Sequence, residues 1–323
     1  MKKLLASLLI AAMSCTLLTG CGSGKGSASA GGTKLFLSYT TDDFRQAFAD
    51  AASAEAQAQG VTLTLSPNDA TVEEQVASIK KAVADGATAI LCIPANASTA
   101  QELEVAANGV PIIFCNSKPD EDYMKADKYI YVGSSEEQAG QFQAERLIAN
   151  NPGKTSFDIV MFKGQKNHSG AVGRENGFKN TMKDNGIQVN YVFDDYADWS
   201  DTIAAEKFEY FLKTGQHYDA IVCHNDTMAV GVATYMKNHG IDTSAFPVFG
   251  VDATADGIAA LEDGRLAFTV YQSAKGQGSA AVLAGIALSK GQSVKDIEGV
   301  DSTNTYIYVP FEPVDKSNAA NYK

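Results

Sequence analysis

The stretch that most constrains the fold is residues 218–231, where a short apolar run passes through three polar residues into a helical pattern. Ala220–Cys223 is continuously apolar, which is typical of a strand buried on both faces of a parallel sheet. His224, Asn225 and Asp226 follow it directly. We therefore predict that these three residues lie at the carboxyl end of a parallel strand, the edge at which open α/β sheets bind ligands.

Two roles compete for the polar residues at this edge. Asp226 suits the N-cap of the following helix, because an aspartate side chain accepts hydrogen bonds from the first turn of a helix. Asn225 is not needed for such a cap, so it is the better candidate for a ligand contact.

The alternation of apolar strand and amphipathic helix repeats along the chain. It runs from a strand at residues 35–38 to a strand at 129–132, restarts after Gly133, and ends with a strand at 306–309. Strands separated by helices form parallel sheets with helices on both faces. The length suffices for two cores. We predict an α/β protein with two doubly wound parallel-sheet lobes and a ligand cleft between them.

The first 21 residues have the features of an export signal. A positively charged start precedes an apolar run at residues 4–13, which is too short to cross a bilayer. The segment ends in L-T-G-C at residues 18–21, which resembles a bacterial lipobox and predicts that Cys21 carries a lipid. The alternative is a plain signal peptide with an incidental cysteine. Residues 22–33 are rich in Gly, Ser and Ala and are expected to form a flexible tether.

Charge and cysteine content exclude several classes of protein. The formal net charge is −12, so we expect no binding to nucleic acid. Cys92, Cys115 and Cys223 each end an apolar strand pattern and are expected to be small buried hydrophobes. Their odd number and wide spacing argue against a disulfide framework or a zinc site. We expect no cofactor and no bound metal.

Polar and aromatic residues follow the predicted strands at the same sheet edge. Carboxylate, amide and guanidinium groups can bridge neighbouring hydroxyls, while an aromatic ring offers a flat apolar wall. A pyranose combines hydroxyls on its rim with C–H patches on its faces, so it fits such a set of residues. The nine candidates are Asp42, Phe44, Asn116, His168, Arg174, Trp199, Asn225, Asp252 and Gln272.

Several of these candidates also have structural interpretations. Asp42 and Asp252 could each cap a helix, and Phe44 could be a core residue at helical spacing. Arg174 could pair with a carboxylate on a solvated helix face, where the pair would contribute little. Trp199 lies outside any apolar run, so a core role suits it less well.

Six motifs carry a resemblance to a known family. From about Lys34 to the C-terminus the chain is similar to the periplasmic sugar-binding proteins of bacterial ABC importers, above all to the galactose/glucose-binding type and more distantly to the ribose-binding type. The motifs are D-D-F at residues 42–44, V-P-I-I-F-C-N at 110–116, Y-V-G at 131–133, H-N-D-T-M-A-V-G at 224–231, V-F-G-V-D at 248–252 and V-D-K-S-N at 314–318.

The resemblance implies two lobes joined by a hinge that the chain crosses three times, near Gly133, Gln272 and Thr305. It implies that Phe44 and Trp199 sandwich a sugar ring. The residues that would hydrogen-bond the sugar are Asp42, Asn116, His168, Arg174, Asn225 and Asp252. Closure of the lobes around the ligand would be the signal that an importer recognises. The implied lobes are residues 34–133 plus 273–304 for the N-terminal lobe and residues 134–272 plus 305–323 for the C-terminal lobe.

The chain departs from the galactose/glucose type at two positions and in one loop. Gly170 stands where that type has a carboxylate, and Gln272 stands where it has Asn. Residues 149–156 lack the spaced carboxylates of its calcium loop, so we predict no bound calcium. The sequence therefore predicts that the ligand is a sugar but does not predict which sugar it is.

The implied function is that of an extracytoplasmic receptor, monomeric and anchored to the cell membrane through Cys21. It would capture a monosaccharide, with a glucose-like or galactose-like pyranose preferred over a pentose or another small polyol, and deliver it to ABC permease subunits. A sensor that presents the sugar to a histidine kinase or chemoreceptor is the alternative. An enzyme is not expected, since the G-x-G-x-x-A pattern at residues 276–281 lies at the last lobe crossing and not in a first βαβ unit.

Overall fold

The computed structural model describes residues 32–323, in which strands and helices alternate. The predicted signal peptide, Cys21 and most of the predicted tether lie outside the described residues. Within residues 32–323, no helix combines the length and apolarity that a membrane span requires. In chain order the elements are β1 (Lys34–Ser38), α1 (Asp43–Ala58), β2 (Thr62–Ser66), α2 (Val72–Ala84), β3 (Ala89–Cys92), α3 (Ala100–Ala107), β4 (Ile112–Cys115), β5 (Tyr129–Gly133), α4 (Glu136–Asn150), β6 (Ser156–Lys163), α5 (Ser169–Asp184), β7 (Gln188–Tyr196), α6 (Asp201–Leu212), β8 (Ala220–Cys223), α7 (Asp226–Asn238), β9 (Val248–Phe249), α8 (Ala255–Glu262), β10 (Thr269–Gln272), α9 (Ala274–Ser289), β11 (Tyr306–Tyr308) and β12 (Phe311–Val314).

Two sheets with the same strand order organise these elements into two lobes. The first lobe has a parallel sheet in the order β2-β1-β3-β4-β5-β11. The second has the parallel order β7-β6-β8-β9, which isolated parallel bridges extend to β10. Strand β12 then pairs with β10 in the antiparallel direction. The predicted α/β fold with two parallel-sheet lobes is confirmed.

Each sheet is covered by helices on both faces. In the first lobe α1 and α9 pack on one face, while α2 and α3 pack on the other. Strand β8 shows the corresponding arrangement in the second lobe, because Ala220 and Val222 pack toward α4 and α5 while Ile221 and Cys223 pack toward α6, α7 and α8. The continuous apolarity of this strand therefore predicted its burial correctly. Cys92, Cys115 and Cys223 are buried free thiols, as expected.

The chain passes between the lobes at three places, and one of them differs from the prediction. The assignment of residues 305–323 to the C-terminal lobe is wrong for β11, because Tyr306–Tyr308 pairs with Tyr131, Val132 and Gly133 in the first sheet. Since the next strand belongs to the second lobe, the third crossing lies after Tyr308 and not near Thr305. The other predicted lobe limits stay a prediction.

A chain of partly and fully buried hydrogen bonds joins the three crossings. Ser134 Oγ donates to the carbonyl oxygen of Val309 at 2.7 Å, and Gln277 Nε2 donates to Ser134 Oγ at 3.0 Å. The Val309 amide in turn donates to the carbonyl of Gly133 at 2.8 Å. The three crossing segments are therefore hydrogen-bonded to one another.

Helices α4 and α5 approach each other closely because glycines lie at their contact. A Cβ atom at Gly140 would lie 2.0 Å from the Arg174 carbonyl oxygen, and one at Gly177 would lie 1.9 Å from the Glu137 carbonyl oxygen. No side chain fits at either position without moving a helix backbone. This contact brings the start of α4 beside the first half of α5.

We expect the substitution Gly177→Ala to lower the free energy of unfolding by roughly 1–3 kcal/mol, because the added methyl group forces the two helices apart. Urea denaturation of the purified protein measures this loss. The matched control is Asn176→Ala on the exposed side of the same helix, which should change the free energy by less than about 0.5 kcal/mol. Equal stability of the two variants would contradict the close packing.

Asp226 holds the loop between β9 and α8 in the second lobe. Its side chain is fully buried, accepts a hydrogen bond from Thr269 Oγ1 at 2.6 Å, and accepts another from the Thr254 amide at 2.9 Å. Gly250 and Gly257 leave the space that its two carboxylate oxygens occupy. Burial raises the pKa of Asp226 to about 7, although these hydrogen bonds oppose the rise.

A carboxyl group with a raised pKa in the folded state makes the protein less stable as the pH rises. The unfolded pKa is near 3.8, so the contribution of Asp226 is lost between about pH 4 and about pH 7, at roughly 1.4 kcal/mol per pH unit. The variant Asp226→Asn does not titrate, so its stability relative to the wild type should increase across this range and level off above it.

Urea denaturation at several pH values measures this difference. Asp256→Asn, on the exposed side of α8, controls for the loss of a carboxylate. A difference between Asp226→Asn and the wild type that stays constant from pH 4 to pH 8 would contradict the raised pKa.

Candidate functional site

A cavity of about 270 Å³ lies between the two lobes, and all nine predicted binding residues line it. Strand ends and helix starts of both lobes meet here, which is where ligands bind in sheets of this type. The binding roles of the nine residues stay a prediction. The residues that line the cavity are Asp42, Asp43, Phe44, Arg45, Asn116, Glu136, His168, Gly170, Arg174, Trp199, Asn225, Thr227, Asp252, Thr254 and Gln272.

Arg174 is the buried cation of this cavity, with 4% of its surface exposed. Its Nε donates to Glu136 Oε2 at 2.7 Å, and its Nη2 donates to Gln272 Oε1 at 3.1 Å. Nη1 donates to the carbonyl oxygen of His224 and lies 3.7 Å from Asp252 Oδ1. The alternative of a pair on a solvated helix face is therefore wrong. These contacts fix the plane of the guanidinium group.

Asn225, and not Asp226, caps helix α7. Asn225 Oδ1 accepts a hydrogen bond from the Met228 amide at 3.0 Å, while Asp226 forms the first residue of the helix and points its carboxylate toward the β9–α8 loop. The prediction that the cap does not need Asn225 is wrong. The Nδ2 group of Asn225 nevertheless makes no hydrogen bond to any described residue, so the same side chain can cap the helix and donate to a ligand.

His168 caps helix α5 and is neutral. Its Nδ1 accepts a hydrogen bond from the Gly170 amide at 3.1 Å, so the proton is on Nε2. Burial, together with the positive charges of Arg45 and Arg174, lowers the pKa of His168 to about 3. The Nε2 donor is buried and has no partner among the described residues, and the same is true of Gln272 Nε2. Two donors in the cavity wall thus lack acceptors.

Asp42 and Asp252 bring carboxyl groups to the cavity wall from different lobes. Asp42 caps helix α1, as its structural interpretation predicted, by accepting a hydrogen bond from the Arg45 amide at 2.7 Å. It also lines the cavity. Asp252 is not a cap, because Thr254 caps the next helix. Burial raises the pKa of Asp252 well above its usual value, and Arg174 opposes that rise.

The two aromatic residues come from different lobes. Phe44 is half-buried at the start of α1, whereas the core position of that helix is filled by Phe48, so the core interpretation of Phe44 is wrong. Trp199 packs edge-on against His168, with 5.2 Å between the ring centroids. Gly164 makes room for it, since a Cβ atom there would lie 2.0 Å from the indole ring.

Three of the cavity residues have backbone conformations that are uncommon outside glycine. Asn116 has a φ of 59°, Trp199 of 65° and Asp252 of 112°. Such conformations cost energy and concentrate at functional sites, where the surrounding fold maintains them. Their occurrence on both sides of one cavity supports a binding role for it.

Sequence reasoning missed Glu136, which lines the cavity and holds Arg174. It also missed Arg45, whose guanidinium lies 3.3 Å from Asp42. Glu136 comes three residues after the end of β5, so the same rule that selected the other strand-end residues applies to it. Glu136 was not selected because it lies in the first turn of a helix, where acidic residues are common since they interact favourably with the helix dipole.

A cluster of three side chains of metal-ligand type lies away from the cavity. Single ligand atoms of Asp158, His217 and Asp219 all lie within 4.8 Å of one another. The Lys154 ammonium group already contacts Asp219 Oδ1 at 2.5 Å, so a positive charge of the protein occupies this position.

Comparison with known proteins identifies the family. The model of the periplasmic binding protein domain matches residues 33–293. A putative rhizopine-binding protein of Rhizobium meliloti is 29% identical over 269 residues, which cover 82% of this chain and 83% of the relative. The D-galactose/methyl-galactoside binding periplasmic protein of Haemophilus influenzae is 28% identical over 230 residues, which cover 67% of this chain and 68% of the relative.

Solved structures show the same fold. A solute-binding protein of an ABC transporter from Bacillus halodurans, with bound myo-inositol, has a TM-score of 0.80 at 25% identity and covers 92% of this chain and 99% of its own. Another from Actinobacillus succinogenes, with bound D-allose, has a TM-score of 0.78 at 21% identity and covers 90% of this chain and 100% of its own. The chain therefore belongs to the periplasmic binding protein family, which includes the sugar-binding receptors of ABC importers.

Proposed function

We propose that this protein captures a monosaccharide or a similar cyclic polyol in the interlobe cavity and delivers it to an ABC importer. The observation that carries the proposal is a pair of amide side chains, one from each lobe, at the wall of one cavity. Asn116 makes no side-chain hydrogen bond to any described residue, and Asn225 keeps its Nδ2 free. A ligand bridging both amides would hold the two lobes together.

The other groups in the cavity match a ring that carries several hydroxyls. His168 and Gln272 contribute donors without partners, while Asp42 and Asp252 contribute acceptors. A buried donor without an acceptor costs roughly 1–3 kcal/mol, and a ligand hydroxyl would remove that cost. Phe44 and Trp199 supply apolar surfaces for the faces of the ring.

The size of the cavity favours a small ligand. Its volume of about 270 Å³ lies at or below the lower end of the range for small-molecule sites, roughly 300–1,000 Å³. A single ring suits this volume better than an oligosaccharide does. A glucose-like or galactose-like pyranose is our first choice, with a pentose or another small polyol as the alternative. Relatives with bound myo-inositol and D-allose are consistent with this range.

The family contains the binding subunits of transporters, and its members bind their ligands outside the cytoplasm. We infer that Cys21 anchors this protein to the outer side of the membrane, and that permease subunits are its partners. A role in sensing would use the same closed form, with a histidine kinase or a chemoreceptor as the receiver.

Isothermal titration calorimetry with aldohexoses, pentoses and cyclitols tests the binding function. We expect heat of binding from at least one of them, together with a change in the fluorescence of Trp199, since the chain has only this one Trp. A protein that shows a cooperative thermal transition but no heat with any of these compounds would refute the proposal.

The variant Asn225→Asp tests the amide donor without removing the helix cap. It keeps an oxygen for the Met228 amide but replaces the Nδ2 donor by an acceptor, so we expect roughly 10- to 100-fold weaker binding at unchanged thermal stability. The matched control is Asn96→Asp, at the cap of an exposed turn away from the cavity. Unchanged affinity in Asn225→Asp would show that this amide does not contact the ligand.

The variant Cys21→Ser tests the anchor. We expect the wild type in the membrane fraction of expressing bacteria and the variant outside it, because a serine cannot carry the thioether-linked lipid. Cys15→Ser, within the predicted signal, is the control and should fractionate like the wild type. Membrane association of Cys21→Ser equal to that of the wild type would contradict lipid anchoring.

A further inference from the structure

Glu136 lies beside two glycines of helix α5, and one of them, Gly173, leaves the space that its side chain fills. A Cβ atom at Gly173 would lie 2.5 Å from Glu136 Cβ, so any larger residue there would displace it. A Cβ atom at Gly170 would lie 3.7 Å from the carboxyl carbon of Glu136. The wall of the cavity beside Gly170 is thus formed by a carboxylate that comes from α4 and not from α5.

The two oxygens of this carboxylate have different surroundings. Oε2 accepts the Nε–H of Arg174 at 2.7 Å, whereas Oε1 has no hydrogen bond to any described residue. Glu136 is only 8% exposed, and it lines the cavity. The carboxylate therefore presents an acceptor at the cavity wall that no described residue uses, and a ligand hydroxyl can donate to it.

Arg174 does not explain the position of Glu136 by itself. The guanidinium also donates to Gln272 Oε1 at 3.1 Å and to the carbonyl oxygen of His224, and it lies 3.7 Å from Asp252 Oδ1. Two carboxylates therefore surround one guanidinium at the wall of the cavity. The pairing with Arg174 satisfies one oxygen of Glu136 and leaves the second available.

We propose that Glu136 is a specificity-determining residue of the site and accepts a hydrogen bond from one hydroxyl of the bound polyol, at the edge where Gly170 has no side chain. This inference rests on the proposed function and goes further by naming which group selects the ligand. Because a carboxylate only accepts, the ligand must donate at this edge. Deoxy and O-methyl analogues at that hydroxyl are then rejected.

The test uses the polyol that binds the wild type most tightly, its epimers and its monodeoxy analogues. The variant Glu136→Gln keeps the shape of the side chain and an oxygen for Arg174, but it loses the second acceptor. We expect the wild type to bind one monodeoxy analogue at least tenfold more weakly than the parent ligand. In Glu136→Gln this discrimination should fall to less than about threefold, while affinity for the parent falls roughly 10- to 100-fold.

Two further variants complete the design. Glu137→Gln makes the same charge change at the next, exposed position of α4, and it should keep the affinities and ratios of the wild type. Glu136→Asp retains the charge but withdraws the carboxylate by one methylene group, so the same loss of discrimination is expected. This variant decides the question if Glu136→Gln does not fold.

The outcomes separate this inference from the proposed function. If the wild type binds no polyol, both fail. If the wild type binds and the Glu136 variants lose affinity for all analogues by one common factor, Glu136 only positions Arg174 and the inference is overturned. Retention of the wild-type affinity in Glu136→Gln would also overturn it. Loss of discrimination at a single hydroxyl supports it.

Discussion

The buried guanidinium of Arg174 is the interaction on which the site depends. An unpaired buried charge would be very costly, so its partners must be in place before the cavity has a defined shape. They come from α4, from the end of β10 and from the loop after β9, which are brought together by the glycine contact of α4 with α5 and by the buried carboxylate of Asp226. The geometry of the site therefore depends directly on how the helices pack.

Several side chains of the cavity serve the fold and the site at the same time. Asp42, His168 and Asn225 each use one atom to cap a helix. In His168 and Asn225 the remaining polar atom stays available at the cavity wall, whereas the second oxygen of Asp42 pairs with Arg45. A cap fixes the side-chain rotamer, so a ligand that contacts these groups would cost them little conformational entropy. The alternatives of helix cap and ligand contact therefore do not exclude each other.

Much of this arrangement could be predicted from the sequence, and the failures have physical causes. Apolar runs such as Ala220–Cys223 predicted the strands. The rule that ligands bind at the carboxyl ends of parallel strands selected nine residues, and the structure brings all nine to one cavity. The choice of Asn225 over Asp226 as the cap depends on tertiary partners, Thr269 and Thr254, that no local pattern reveals.

The strands after the last helix were harder to assign. Strand β12 contains Glu312 and Pro313 at its exposed positions, and it pairs with a single neighbour, so it has no continuous apolar pattern. A proline is tolerated at such an edge. The lobe to which β11 belongs depends on pairing with β5, and in sequence the two strands are separated by α4 to β10 of the second lobe and by α9.

That pairing has a consequence for biosynthesis. Helix α9 packs on α1, and β11 completes the first sheet, so the earliest part of the chain receives its last partners only when nearly all of the polypeptide has been made. Contacts between such distant segments are slow to form. The N-terminal half must therefore wait, with part of its apolar surface uncovered, until the ribosome has almost finished.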